Sequence, residues 1–283
     1  MSRGSLIRKA AEEIYGPDKA KLAIRSYDII GDIAVIKVPD ELMDKRFEFG
    51  EKIIEYIKGI NTVFRQKSPV KGSYRLRDLE FLAGQYKTLT LHKEYGCKFY
   101  VDVLRTYYTP RLSTERWRIT NLVGSDEVIV NMFAGVGPYS ILIARYKPVK
   151  EIYSIDINYE AYKLHGINVR INKVSDKVMV MLGDAGEVIK TNLVGVADRV
   201  LMPLPELALE YLSYAILSLK HVGWIHIYLH ISYQKREEDA LKRAAEIVRN
   251  ALKGYELLDL YVHRVREVGT RLLQVCVDAK IQK

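Results

Sequence analysis

A chain of 283 residues makes about two domains at the usual size of roughly 150 residues each. Apolar residues are 48% and charged ones 28%, and no stretch approaches the ~18 uninterrupted apolar residues of a bilayer span; disorder, collagen and a multispan membrane protein are excluded. The formal charge of +9 fits a polyanionic partner, because surface Lys and Arg gain from phosphate neutralisation, and it fits a solvated basic surface equally well.

Residues 1–24 read as an N-terminal helical extension. Asp28–Val38 carries two β-rich runs around the turn signal Gly31-Asp32. Glu41–Gly59 has apolar residues at helical spacing, and strands are expected at Thr62–Arg65, Lys87–His92 and Lys98–Leu104, the last two joined by a hairpin at Glu94-Tyr95-Gly96. Residues 25–123 are therefore a small α+β domain with an antiparallel or mixed sheet and one covering helix. Over 124–283 the signals alternate: strands Glu127–Met132, Glu151–Asp156, Val178–Leu182, Arg199–Met202 and Trp224–Ile231. Helices Pro138–Tyr146, Glu160–Lys173, Glu206–Lys220 and Glu237–Lys253 lie between or after them. Such alternation implies βαβ units and a mainly parallel sheet. The last two runs, Glu256–Val265 and Arg271–Ala279, are joined too tightly for a crossover and must pair antiparallel. This α/β layout, a parallel sheet closed by one antiparallel hairpin, is that of the class I (Rossmann-like) methyltransferases.

Two cysteines, Cys97 and Cys276, are too few for a disulfide framework or a thiolate zinc cage. The first residues hold no apolar signal core, so a cytoplasmic setting is expected. The six histidines show no metal-binding spacing; His226 and His230 fall on one face of an expected strand and read as sheet residues, so no metal is expected.

In Val128–Pro138 an apolar strand delivers Gly135-x-Gly137 to the mouth of a helix, and Pro138 suits its first turn. Asp156 ends the next strand about 20 positions after Gly135, where an acid meets ribose hydroxyls in doubly wound folds. Alone, Asp156 or Asn158 is equally a helix N-cap. A third glycine is missing, since Ser140 stands in its place, which disfavours a dinucleotide. Asp184 follows the third strand, where methyltransferase sheets commonly place an acid against adenine. Together these strand ends point to S-adenosylmethionine.

Asn131–Pro138, Asp156-Ile-Asn158, Asp198–Pro205, Gly72–Arg77 and Tyr107–Arg116 resemble the archaeal and eukaryotic tRNA (guanine-37-N1) methyltransferase family. The resemblance covers roughly residues 25 to 280. It implies an active-site and RNA-binding role for 25–123 and cofactor binding by 124–283. It further implies Glu115 as the base that removes the guanine N1 proton and Arg75 as the cation that stabilises charge on O6. Phe133, Ile157 and Tyr107 join Gly135, Gly137, Asp156 and Asp184 as cofactor contacts; Arg111, Pro203 and Pro205 join Arg75 as substrate contacts. Without that context, Glu115 is a solvated helix residue paired with a neighbouring arginine, and Arg75 a phosphate contact or surface salt bridge.

Pro203-Leu204-Pro205 replaces the family's commoner Asn-Leu-Pro, so a side-chain amide is missing, as in the branch that includes bifunctional wyosine-pathway methyltransferases. The resemblance thus implies a tRNA methyltransferase forming 1-methylguanosine at position 37, with methylation of C7 of the tricyclic wyosine precursor left open. The partner is the anticodon loop, whose splayed bases stack on aromatic rings. The protein is taken as a monomer. Only about 24 residues precede the Asp28 hairpin, too few for the family's tRNA-corner domain, so recognition of the whole tRNA is expected to be weaker or to use other surfaces. Basic candidates include Arg3, Arg8, Lys9, Lys67, Lys71, Lys235, Arg236, Lys242 and Arg243. Two rival readings stand beside this one: an aminocarboxypropyl transferase acting on tRNA-Phe, and a non-catalytic RNA-binding module.

Overall fold

In the computed structural model, residues 3–23, 27–68 and 76–283 are described. The chain divides into two units, Met1–Ser113 and Thr114–Lys283. This division falls about ten residues before the 123/124 boundary expected from the sequence, because the helix that starts at Ser113 sends its side chains to strands of the second unit.

In the first unit α1 (Arg3–Ala20) buries Ile7, Ala10 and Ala11 at helical spacing and is broken at Gly16, just before Pro17. It is no free extension, since these residues share a core with Leu42, Phe49 and Ile53. Strands β1 (Tyr27–Ile30) and β2 (Ile33–Ile36) form the expected hairpin around Gly31-Asp32. The helix expected over Glu41–Gly59 condenses to a 3-10 turn at Asp40–Leu42 and α2 (Arg46–Tyr56), the crossover that lets β3 (Thr62–Gln66) pair parallel with β2. An unforeseen strand, β4 (Leu79–Gly84), completes a four-stranded mixed sheet in the order β1-β2-β3-β4. Among the described residues β5 (Leu89–Glu94) and β6 (Cys97–Asp102) form a separate two-stranded sheet. Among its described residues the unit thus has two sheets and two core helices, where one sheet and one covering helix were expected.

The second unit begins with α3 (Ser113–Leu122) and β7 (Val128–Asn131). Then α4 (Pro138–Tyr146), β8 (Glu151–Asp156), α5 (Tyr159–Ile171) and β9 (Val178–Leu182) follow in alternation. Next come α6 (Ala185–Asn192), which the sequence reading missed, β10 (Ala197–Met202) and α7 (Leu212–Ser218), much shorter than the expected Glu206–Lys220. The unit closes with β11 (Leu219–Ser232), α8 (Glu237–Ala251), β12 (Glu256–Gly269) and β13 (Leu272–Gln282). The seven strands lie in the order β12-β13-β11-β10-β7-β8-β9; β13 alone runs antiparallel to its neighbours. The class I methyltransferase layout is therefore present.

At the hairpin end the two faces of this sheet differ. With the period of two that a strand imposes, Ile225, Ile227 and Leu229 join Val275, Val277 and Ala279 in the apolar core. The alternate residues Trp224, His226 and Tyr228, paired with Lys280, Asp278 and Cys276, present a polar face instead. Among the described residues no helix is long and apolar enough to cross a membrane.

Candidate active site

At the strand ends of the parallel half, Gly135 and Gly137 have positive φ of 56° and 92°, and Gly137 caps α4. A Cβ at Gly137 would lie 2.3 Å from the His165 ring, so the tight turn admits no side chain there. Asp156 holds the turn from the next strand: its Oδ2 accepts from the Gly135 amide at 2.6 Å and its Oδ1 from the Asn158 amide at 2.9 Å. Burial raises the Asp156 carboxyl above its ordinary range, against the pull of those two amides. The cap of α5 is Asn158, whose side chain accepts from Glu160.

Asp184 is the N-cap of α6, accepting from the Glu187 amide, and its other oxygen accepts from the Tyr211 hydroxyl. That bond, with burial, pushes the Tyr211 phenol up to about 12. Tyr211 also meets Phe133 edge to face, with ring centroids 5.4 Å apart. Ile157, just after β8, and Leu182, at the end of β9, lie beside the two acids and are 47% and 45% exposed. A carboxylate with about four acceptor positions, two of them used, beside uncovered aliphatic side chains fits the ribose and ring of an adenosine.

Glu115 sits on α3 over the polar face and is 4% exposed. It is paired with a neighbouring arginine, as the plain alternative holds, but it is buried and not solvated. Arg118 grips it with a fork, Nε to Oε2 and Nη2 to Oε1, both at 2.8 Å. Tyr228 donates to Oε1 at 2.6 Å and itself accepts from Tyr139 of α4 at 3.0 Å. Burial, then the charge of Glu115, raises the Tyr139 phenol, and burial raises that of Tyr228, so both stay protonated.

Arg118 also reaches Asp278, Nη1 to Oδ2 at 2.6 Å. Asp278 Oδ1 faces His226 Nδ1 at 2.6 Å, and His226 Nε2 faces Arg199 Nη1 at 2.6 Å. Arg199 ends in a second fork on Glu127 at 2.6 and 2.9 Å. A guanidinium has no lone pair, so Nε2 must accept and Nδ1 must carry the proton that goes to Asp278. Burial keeps His226 below its ordinary range despite the pull of Asp278. Burial works against Asp278 too, but the bonds from His226 and Arg118 outweigh it and hold the carboxyl well below its usual range. Arg199 does the same for Glu127. His226, Cys276 and Asp278 bring three metal-binding side-chain types together. With both ring nitrogens engaged and Arg118 on the free Asp278 oxygen, the cluster has no histidine lone pair for a cation.

Pro203 is half-buried and Leu204 and Pro205 are buried, directly after β10. In the first unit Arg111 donates from Nε to Asp28 at 2.7 Å and Arg77 reaches the other Asp28 oxygen at 2.6 Å. Tyr107 is half-buried. Arg75 and Lys71 lie outside the described residues. Three of the expected basic surface residues pair locally: Arg8 with Glu12, Lys67 with Asp78 and Arg236 with Asp239. Sequence reasoning missed Arg118, Asp278, Arg199 and Tyr228, and took His226 for an ordinary sheet residue. The signal was there: polar residues at every second position of two otherwise apolar strands.

Residues 90–258 match the model of the TRM5/TYW2 methyltransferase domain, and residues 7–88 match that of the TYW2 N-terminal domain. The chain is 44% identical over 207 residues to the tRNA (guanine(37)-N(1))-methyltransferase Trm5b of Methanocaldococcus jannaschii, which takes in 72% of this chain but only 58% of that relative. It is 34% identical to the tRNA 4-demethylwyosine(37)-methyltransferase Taw21 of Saccharolobus solfataricus, over 89% of this chain and 92% of the relative. Among solved structures, one described as the complex of aTrm5 and tRNALeu superposes with a TM-score of 0.82 at 33% identity, covering 100% of this chain and 80% of the other. With the strand order and the glycine turn in agreement, the chain belongs to the TRM5/TYW2 methyltransferase family.

Proposed function

We propose that the protein transfers a methyl group from S-adenosylmethionine to the base at position 37 of tRNA, at N1 of guanine, and that C7 of the tricyclic wyosine precursor is a second acceptor. The observation that carries the reading is Glu115, a buried carboxylate in the family's general-base segment whose oxygens accept hydrogen bonds from Arg118 and Tyr228. Bound S-adenosylmethionine supplies an electrophilic methyl on sulfonium. Asp156 and Asp184 hold the adenosine, with Ile157, Phe133 and Tyr107 against it, while Gly135 and Gly137 let the backbone approach. Glu115 removes the N1 proton, Arg75 stabilises the charge that this leaves on O6, and Arg111, Pro203 and Pro205 border the base. The partner is the anticodon loop, and the protein acts as a cytoplasmic monomer without metal; the buried Cys97 and Cys276, not joined in a disulfide, suit a reducing compartment.

The match of residues 7–88 to the TYW2 N-terminal domain favours a second reading, in which the aminocarboxypropyl group of the same cofactor is transferred. Labelled cofactor separates the two: methyl label should appear in tRNA nucleosides, and carboxypropyl label should not. Glu115→Gln should cut turnover by about 10²–10⁴ with tRNA binding nearly intact. A wild-type rate for that variant removes Glu115 from the base role, and a transferred carboxypropyl group removes the methyl reading itself. Nucleoside mass spectrometry on tRNA-Phe before and after tricycle formation decides between one acceptor and two.

A further inference from the structure

We propose that Arg118, Asp278 and His226 position the Glu115 carboxylate, and that Asp278, held by His226, offsets the charge of Arg118 so that Glu115 can take up a proton, a role that rests on the reading of Glu115 as the base. The six side chains from Glu115 through Arg118, Asp278, His226 and Arg199 to Glu127 form one hydrogen-bonded chain. Arg118 and Glu127 are the most exposed, at 20% and 18% of their side chains, and Glu115 only 3%. Three carboxylates alternate with two guanidiniums and one neutral imidazole. While Glu115 is ionised, the chain holds one negative charge in excess; when Glu115 takes a proton, the excess is gone.

The position of Asp278 is what makes this useful. A guanidinium that gripped Glu115 alone would favour the ionised form and resist proton uptake. Arg118 is shared between Glu115 and Asp278, so it fixes the carboxylate plane while its charge is divided. His226 in turn fixes Asp278 and stays neutral, because Arg199 occupies its second nitrogen. Other groups close to Glu115 are Arg116, buried on the same helix, and His263 of β12, whose Nε2 lies 3.7 Å from Oε2. Tyr139, Tyr228 and Cys276 face it as neutral phenols and a neutral thiol. Cys276 also donates to Asp278 Oδ1, and as a neutral thiol it leaves Asp278 the carboxylate that offsets Arg118.

The test is the pH profile of single-turnover methyl transfer to tRNA by the full chain, with thermal midpoint and cofactor affinity as checks on folding. Asp278→Asn keeps the shape and removes the charge. It should lower the plateau rate about 10-fold to 10²-fold and move the acid limb to lower pH, with KM for tRNA within about twofold. Arg118→Lys keeps the charge and loses the fork; it should lower the plateau to a similar degree and leave the acid limb in place, and it carries the test if the asparagine variant does not fold. Wild-type rate and profile in both variants, beside a slow Glu115→Gln, overturn the positioning chain and leave the base intact. Glu115→Gln at wild-type rate overturns both.

Discussion

The two ends of the second unit's sheet solve different problems with different materials. The glycine-turn end is built from backbone: two left-handed glycines, one acid that takes two amides, one acid that caps a helix, and aliphatic residues left uncovered. The hairpin end is built from buried side chains that satisfy one another in a chain of ion pairs. Backbone construction suits a ligand that is gripped by shape and by a few fixed donors and acceptors. A buried charge chain suits a step in which a proton arrives, because any change of charge is felt along all its members in a medium of low dielectric.

The backbone end should break under the smallest addition of volume. Gly137→Ala asks for φ near 92° from a residue with a Cβ, 2.3 Å from a fully buried imidazole that cannot swing into solvent. We expect a loss of about 2–4 kcal/mol in stability, from strain and overpacking together, and a matching loss of S-adenosylmethionine affinity by isothermal titration. An alanine variant with wild-type affinity would mean that the turn does not hold the ligand.

The same contrast decides how much of the site is legible in the sequence. Gly135, Gly137 and Asp156 announce themselves because each works within a strand-turn-helix unit, where spacing along the chain is spacing in space. The hairpin at the chain's end is likewise forced by its short connection. The charge chain is dispersed: Arg118 and Asp278 are separated by 160 positions, Arg199 and Glu127 by 72. No local pattern links them, and only the alternation of polar residues on β11 and β13 marks the face on which they meet. Helix α6 is hidden for a related reason: Asp184, which in the sequence marks a ligand contact, is at the same time the cap that starts the helix. In the first unit β4 escaped because its strand run, LEFLAG, shows no clean alternation, with a burial pattern that changes midway.

Acid should attack both ends, in sequence. His165, at the glycine turn, is fully buried and burial lowers it to about 3; His226, in the charge chain, is also lowered by burial. The unfolded chain protonates a histidine near pH 6.5, before either folded imidazole does. Their contribution is therefore complete above about pH 6.5 and declines as pH falls, for His165 by about 1.4 kcal/mol per unit down to about pH 3 and for His226 until its own lowered value is reached. Asp278 and Glu127, both lowered, add their loss only below about pH 4, where the unfolded carboxylates take protons. Both tryptophans, Trp117 and Trp224, lie in the second unit, so urea unfolding followed by fluorescence reports on it. His165→Phe should flatten the loss between pH 6.5 and 5 by up to about 1.4 kcal/mol per unit. An unchanged slope would place the acid sensitivity elsewhere.

The smallest effect is expected where the same chemistry stands in water. Arg264 of β12 forks onto Glu237 of α8, Nε to Oε2 at 2.6 Å and Nη2 to Oε1 at 3.2 Å, nearly the contact that Arg118 makes with Glu115. The side chains are 45% and 39% exposed, against 20% and 3% for the buried pair. Water solvates either partner once the other is gone, and salt screens the pair while it lasts. Arg264→Ala should therefore change the free energy of unfolding in urea by no more than about 0.5 kcal/mol, and by less still at high salt. Arg118→Ala leaves two buried carboxylates facing each other without a counter-charge and should cost about 3–5 kcal/mol. If the two alanine variants proved equally mild, burial would not be what gives the hairpin end its energy, and the division between a backbone end and a charge-chain end would lose its physical basis.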